Sequence, residues 1–202
     1  MRLLNVHTLE FSVYHSFPPP YAIASHRWHL GHEASHKDVL KKRNTTSIGY
    51  RKVLGFAEFV KNHVQDVEWL WIDTCCILQQ SSEEVSEAVN SMFKWYRNAV
   101  VCVAFLEDVS EFDLGIMARS RWFTRGWTLQ ELVAPRTVVF VTRGWEDYAY
   151  SRAIGAEQKL EWMADRETTR EEDQSYCLLG FFDVTMPVIY GEGREKARMR
   201  LL

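Results

Sequence analysis

The sequence predicts an α/β fold, a parallel sheet with helices on both faces, and three observations predict it. Two segments, EWLWIDTCCI (68–77) and VVCVAFL (100–106), are almost continuously apolar over strand length, as strands covered on both faces are. Other segments repeat their apolar residues at helical spacing. The two kinds alternate as strand, helix, strand, helix, strand, helix, strand, which argues for parallel pairing through crossover helices.

The lead-in ends at FPPP (17–20), and YAIAS (21–25) reads as the first short strand. The polar HRWHLGHEASHKDVLKKRNTTS reads as loop with one helical turn. Val53, Phe56, Ala57, Val60 and Val64 share one helix face. After the strand at 68–77, Ser81 and Glu84 have capping-box spacing, and Val85, Ala88, Val89, Met92, Phe93 and Tyr96 form the apolar stripe of a second helix. The strand at 100–106 leads to a short helix around Thr128–Val133, ended by Pro135, and RTVVFVT (136–142) is the fourth strand. In the tail, Thr168 with Glu171 and Thr169 with Glu172 read as overlapping caps of a helix through QSYCLLG that Gly180 ends. A last helix begins after Gly193 and reaches Leu202 without a cap, the pattern of a piece of a longer protein. The expected organisation is a core at 1–150 and a helical C-terminal extension at 151–202.

Composition narrows the function classes. With 202 residues, 47% of them hydrophobic and 25% charged, the chain can bury a sizeable core. A net charge of −3 and no basic face beyond KDVLKKR exclude nucleic acid as the favoured partner. The N-terminus has no secretory h-region, and no apolar run approaches bilayer-spanning length. The four cysteines, two of them adjacent, do not form a disulfide framework, so a reducing, cytoplasmic location is expected with no membrane partner.

Ligands in parallel sheets sit at the carboxyl ends of the strands, here Ser25–Trp28, Asp73–Cys76, Glu107–Asp108 and the turn after Thr142. HEASH (32–36) fits H-E-x-x-H, but its flanks offer little to bury and a third ligand such as Glu58 has no supporting motif, so a solvated loop is the better reading. Cys75 or Cys76 with His26 would suit a thiol nucleophile and base, yet cysteines in an apolar strand usually act as small hydrophobes. GEGREK (191–196) lacks the third glycine of a dinucleotide fingerprint. Asp73, in an apolar strand, needs solvent in a cleft or a partner, either an ion pair with Arg27 or Arg125 or a ligand. Arg27 and Trp28 have the chemistry to hold a phosphate and stack a ring. Trp127 and Glu131, four apart, share one helix face, either as a helix-to-sheet lock or as part of a site.

Several blocks carry more than spacing. YAIASHRW, WLWIDTCCILQ, EAVNSMFKWYRNA, RSRWFTRGWTLQELVAP and TTREEDQSYCLLGFFDVTMPVIYGEG, in this order, resemble the heterokaryon-incompatibility (HET) domain of fungal self/non-self recognition proteins. The resemblance is weakest over 143–160. Leu78 stands where the family has an acid, and His26 where it has Tyr or Thr. HET domains are in turn similar to TIR domains, which implies a flavodoxin-like parallel sheet, a TIR-like core. YAIASHRW resembles the first TIR strand, and SRWFTRGWTLQEL the TIR segment whose glutamate cleaves the nicotinamide–ribose bond of NAD. The resemblance implies Glu131 as the catalytic carboxylate, with Ser25, Arg27, Trp28, Asp73 and Trp127 binding substrate. NAD, or a related nucleotide, is then a substrate, with no separate cofactor and no metal. It further implies a homo-oligomer assembled through the loop CILQQSSEE (76–84) and an upstream recognition or NOD-like receptor protein. The role implied is a toxic effector in fungal regulated cell death. The chemistry is self-consistent: bond cleavage builds positive charge on the ribose, a fixed carboxylate stabilises it, and nicotinamide needs no general acid to leave.

Overall fold

A computed structural model of the chain describes residues 1–111, 113–150 and 166–202. The 151–165 part of the expected extension, with the end of the 143–160 stretch, lies outside the described residues. The strands are β1 (Arg2–Asn5), β2 (Phe11–Val13), β3 (Tyr21–His26), β4 (Trp69–Trp71), β5 (Val101–Leu106), β6 (Val138–Thr142) and β7 (Asp147–Tyr150). They form one sheet in the order β2-β1-β4-β3-β5-β6-β7.

The four central strands, β4-β3-β5-β6, are parallel, as the alternation predicts. Every residue of β3 and β5 is buried, which explains why their sequences lack the in/out alternation of a one-faced strand. The all-parallel expectation needs correction at both edges. The lead-in folds as the hairpin β1–β2, with Arg2 opposite Val13, and β1 docks antiparallel on β4. At the other edge β7 returns antiparallel to β6. These edge strands have three or four residues each, too short to carry a readable period.

The expected strand at 68–77 is a second correction. It stops at Trp71, and a helical turn, α3 (Asp73–Cys76), follows. The apolar run misled because Cys75 and Cys76 are buried by that turn rather than by a strand, and strand and buried turn look alike in composition.

The main crossover helices are α2 (Ile48–His63), preceded by the turn α1 (His36–Leu40), and α4 (Ser82–Asn98). Ser81 caps α4 by accepting from the Glu84 amide, as its spacing predicts. The Glu84 carboxylate, however, accepts from the Leu78 amide and is forked by Arg2 at 2.9 and 3.1 Å, so it ties the loop before α4 to β1. Beyond β5 come a turn, α5 (Leu114–Met117), a 3₁₀ turn (Arg121–Thr124) and α6 (Thr128–Val133).

The tail is broken into α7 (Asp173–Tyr176), α8 (Leu179–Phe182) and α9 (Arg194–Leu201). Gly180 lies inside α8 rather than ending a helix; a Cβ there would meet the Phe93 side chain at 2.1 Å, so glycine is needed for α8 to close on α4. Nor do Thr168 and Thr169 cap α7, whose first residue follows Glu172 with no side-chain cap. No helix among the described residues is long and apolar enough to cross a membrane.

Candidate functional site

The chain leaves β3, crosses to β4 on one side, then crosses back to β5 on the other. Where a parallel sheet reverses its direction of growth, the outgoing loops diverge and leave a crevice at the strand ends. A cavity of about 750 Å³ lies at this end of the sheet. Arg27, Trp28, Asp73, Trp127 and Glu131 all line it.

Ser25, the remaining predicted residue, lies just beneath. Near the end of β3 and 1% exposed, it donates its hydroxyl to Glu131 Oε2, and accepts the Trp122 indole N–H at 2.8 Å. Glu131, brought there by α6, is 4% exposed. Burial pushes its carboxyl up to about 8, and the charge of Asp73 adds to this; the Ser25 hydrogen bond and the fields of Arg125 and Arg166 oppose it. The sequence also allows Glu131 to pair with Arg125 or Arg121; among the described residues it forms a salt bridge with neither, since Arg121 pairs with Asp108, while Arg125 acts on it through its charge.

Asp73 is treated differently. Its Oδ1 meets His26 Nε2 at 3.1 Å, and its Oδ2 accepts the Trp28 indole N–H at 2.7 Å. Burial raises its carboxyl, but the His26 hydrogen bond and charge, the Arg125 charge and the Trp28 bond together leave it below its ordinary value. Arg125 lies over the Trp28 ring at 5.6 Å and donates to the His26 carbonyl at 3.3 Å. Asp73 therefore has the partner its position demanded, though the donors are His26 and Trp28. Arg27 lines the cavity and makes no ion pair among the described residues, while its carbonyl accepts from Lys52 at 3.0 Å.

The loop before α4 and the first residue of that helix form another wall, through Ile77, Gln79, Gln80 and Ser82, with Gln79 donating to the Asp73 carbonyl at 3.0 Å. The tail closes the far side. Trp127 donates its indole N–H to Asp173 Oδ2 at 3.0 Å, Tyr190 donates to Oδ1 at 3.2 Å, and Arg170 stacks over the Tyr190 ring at 3.8 Å.

Sequence reasoning missed Trp122, Arg166 and Asp173, and weighed His26 only as a base for a cysteine and as a departure from the family pattern, whereas it holds Asp73. One signal for Asp173 existed: an acid four residues beyond the Thr168–Thr169 pair, in a block that carries the family resemblance. The remaining candidates do not assemble into sites. His36 begins α1 and gives its Nδ1 to the Cys75 carbonyl, while Glu33 takes the Lys52 ammonium at 2.6 Å, so HEASH is not one helix face. Both Cys75 and Cys76 are buried, and His26 faces Asp73 rather than a thiol. Gly191 and Gly193 donate their amides to Glu172, so the glycines of GEGREK close a turn.

The fold and the site together define an α/β domain with an aromatic-walled pocket at its strand ends and a buried carboxyl at the floor. A model of the heterokaryon incompatibility protein (HET) family matches residues 21–119, ending before Glu131. Vegetative incompatibility protein HET-E-1 of Podospora anserina is 39% identical over 216 positions, covering 91% of this chain and 16% of that relative. The chain belongs to the HET family. It spans only 16% of the length of the curated relative it matches. No solved structure matches it.

Proposed function

We propose that this chain is the effector domain of a fungal incompatibility response, and that it kills by hydrolysing NAD at the nicotinamide–ribose bond. The observation that carries the reading is convergence. Residues from the loop after β3, from α3 and from α6 line one cavity whose floor is Glu131, and Ser25 of β3 bonds that floor from 106 positions away. The central strand order, in which the second parallel strand flanks the first on one side and the third and fourth lie on the other, supports a flavodoxin-like, TIR-like core.

In this reading Arg27 holds the anionic part of the nucleotide, and Trp28 and Trp127 wall its rings. Glu131 stands below the ribose. A neutral carboxyl contributes little to a developing cation, but an approaching cation lowers the pKa of an acid beside it. The positively charged nicotinamide riboside thus draws Glu131 into the ionised form. The carboxylate then stabilises the ribosyl cation as the C–N bond breaks; neutral nicotinamide leaves with the bonding pair, and water completes the hydrolysis. Asp73, tied at both oxygens, orients Trp28. Assembly of copies through the 76–84 loop, triggered by an upstream recognition protein in the cytoplasm, fits a loop that forms one wall of the cavity.

A second reading draws on the depth of Glu131: a buried acid hydrogen-bonded to Ser25 also suits a fixed strut in a non-enzymatic module that oligomerises and recruits partners. Clustering the chain on a multivalent support with NAD and following nicotinamide release separates the two. The enzymatic reading expects release by wild type and its loss in Glu131→Gln, with cooperative melting retained. No turnover by clustered wild type would leave the recruiting module as the reading.

A further inference from the structure

Arg170 and Tyr190 both line the cavity, on the side that the tail closes. The Arg170 guanidinium lies over the Tyr190 ring at 3.8 Å. Tyr190 is itself held: its hydroxyl donates to Asp173 Oδ1 at 3.2 Å, and Asp173 Oδ2 takes the Trp127 indole N–H at 3.0 Å. Trp127 leads directly into α6, the helix that carries Glu131. Arg170, Tyr190, Asp173 and Trp127 therefore form one wall, joined contact by contact to the helix that supplies the floor.

The cation on this wall has no acid of its own. Glu172 and Asp173, the two buried acids that follow it in the chain, use their oxygens elsewhere. Glu172 Oε1 accepts the Gly191 and Gly193 amides at 2.7 and 3.2 Å, and Asp173 takes the two aromatic donors. Among the described residues no acceptor takes a guanidinium N–H of Arg170 and no carboxylate pairs with it. What holds the residue is the ring beneath it, and the Thr168 hydroxyl, which donates to its carbonyl at 2.7 Å. A planar cation fixed by one face, with its N–H edge unpaired, suits a phosphate met by two parallel hydrogen bonds. The same wall offers what surrounds a phosphate in a nucleotide, since Glu167 and Thr169 line it with groups that meet sugar hydroxyls.

The Trp28 corner of the cavity repeats the pattern, with Arg125 over the Trp28 ring at 5.6 Å. Both corners belong to one cavity of about 750 Å³, toward the upper end of the roughly 300–1,000 Å³ of small-molecule sites. Two guanidinium-on-ring corners in one cavity match a ligand with two phosphorylated halves, each carrying a ring. Docking the tail on the core is already achieved by Asp173 between Trp127 and Tyr190, and needs no exposed cation.

We propose that Arg170 is a specificity-determining residue: with Tyr190 and Asp173 it makes a second nucleotide subsite, so that the cavity selects a dinucleotide pyrophosphate over a mononucleotide. The inference rests on the proposed nucleotide reading of the cavity and extends it to the half of the substrate remote from the broken bond. The reacting half lies with Trp28 above Glu131, and Arg170 takes the phosphate of the other half.

The test is calorimetric titration of clustered protein with two probes: ADP-ribose, which carries the second nucleotide, and nicotinamide mononucleotide, which lacks it. Arg170 is exposed, so Arg170→Gln is expected to fold, and its melting curve checks this. The variant should weaken ADP-ribose binding, relative to mononucleotide binding, about tenfold or more, the loss of one charge-assisted contact. Arg170→Lys keeps the charge without the fork and should recover part of the loss. In turnover, the ratio of kcat/KM for NAD to that for the mononucleotide should fall by a similar factor, through KM rather than kcat. An unchanged ratio of affinities in folded Arg170→Gln overturns the proposal, whether both probes weaken together or neither does. Wild type that binds ADP-ribose in this Arg170-dependent way, yet releases no nicotinamide from NAD, keeps the subsite and removes the hydrolytic reading. Wild type that binds neither probe removes both.

Discussion

Asp73 and Glu131 face the same cavity, and their surroundings drive them in opposite directions. The Asp73 corner supplies two fixed donors, His26 and Trp28, one to each carboxylate oxygen, with the Arg125 charge behind them. The Glu131 floor supplies one donor, the Ser25 hydroxyl, which itself accepts from Trp122, and little exposure to solvent. Burial acts on both; the donors decide which acid stays charged. The comparison teaches that Asp73 is a fixed anion that holds an aromatic wall, while burial holds Glu131 toward its neutral form, which in the proposed function lets an arriving cation change its charge.

Four measurements on three substitutions break or sharpen that contrast. Glu131→Gln has the largest expected effect: nicotinamide release by clustered protein should fall by about 10²–10³-fold or more, since a pre-set electrostatic contact to the transition state is lost. Asp73→Asn comes next. Losing a charged acceptor from both His26 and Trp28 should destabilise the fold by about 2–3 kcal/mol at neutral pH, read by denaturant unfolding. Because the Asp73 carboxyl is held below its ordinary value of 3.8, its contribution is complete above that pH and disappears as pH falls below it, and the Asn penalty should vanish there too.

The third prediction has the opposite sign. Glu131 is raised from 4.5 to about 8, so between these values the unfolded chain releases a proton that the folded chain keeps. Wild-type stability is therefore eroded as pH rises through this window, and Glu131→Gln, which does not titrate, escapes the loss. The melting temperature of Glu131→Gln should rise relative to wild type by about ten degrees from pH 4.5 to about 8 and then level off; a flat difference would mean that Glu131 is already ionised. The smallest effect belongs to the far wall. Tyr190→Phe removes one donor from Asp173 and should cost about 0.5–1.5 kcal/mol, leaving the Asp73 corner untouched.

The elements most legible in the sequence were those whose side chains repeat. The stripe from Val85 to Tyr96 marked α4, and the unbroken apolar residues of β3 and β5 marked buried parallel strands. Topology put Trp28 and Asp73 at the strand ends, where parallel strands collect loops, and the resemblance added Glu131; all three line the same cavity. Motif blocks carried the family, which periodicity never would have.

Tertiary structure decided the rest, because pairing between distant segments leaves no local trace. Ser25 meets Trp122 across 97 positions, and β1 joins β4 through a register that Leu4 and Leu70 share. Arg166 reaches α6 from the tail, and neither its own sequence nor that of the helix announces the meeting. Local sequence fixes what each segment prefers to be, through spacing, caps and turns. Which oxygen each donor finds, and so which carboxyl keeps its proton, depends on distances and burial that exist only once the whole chain has packed.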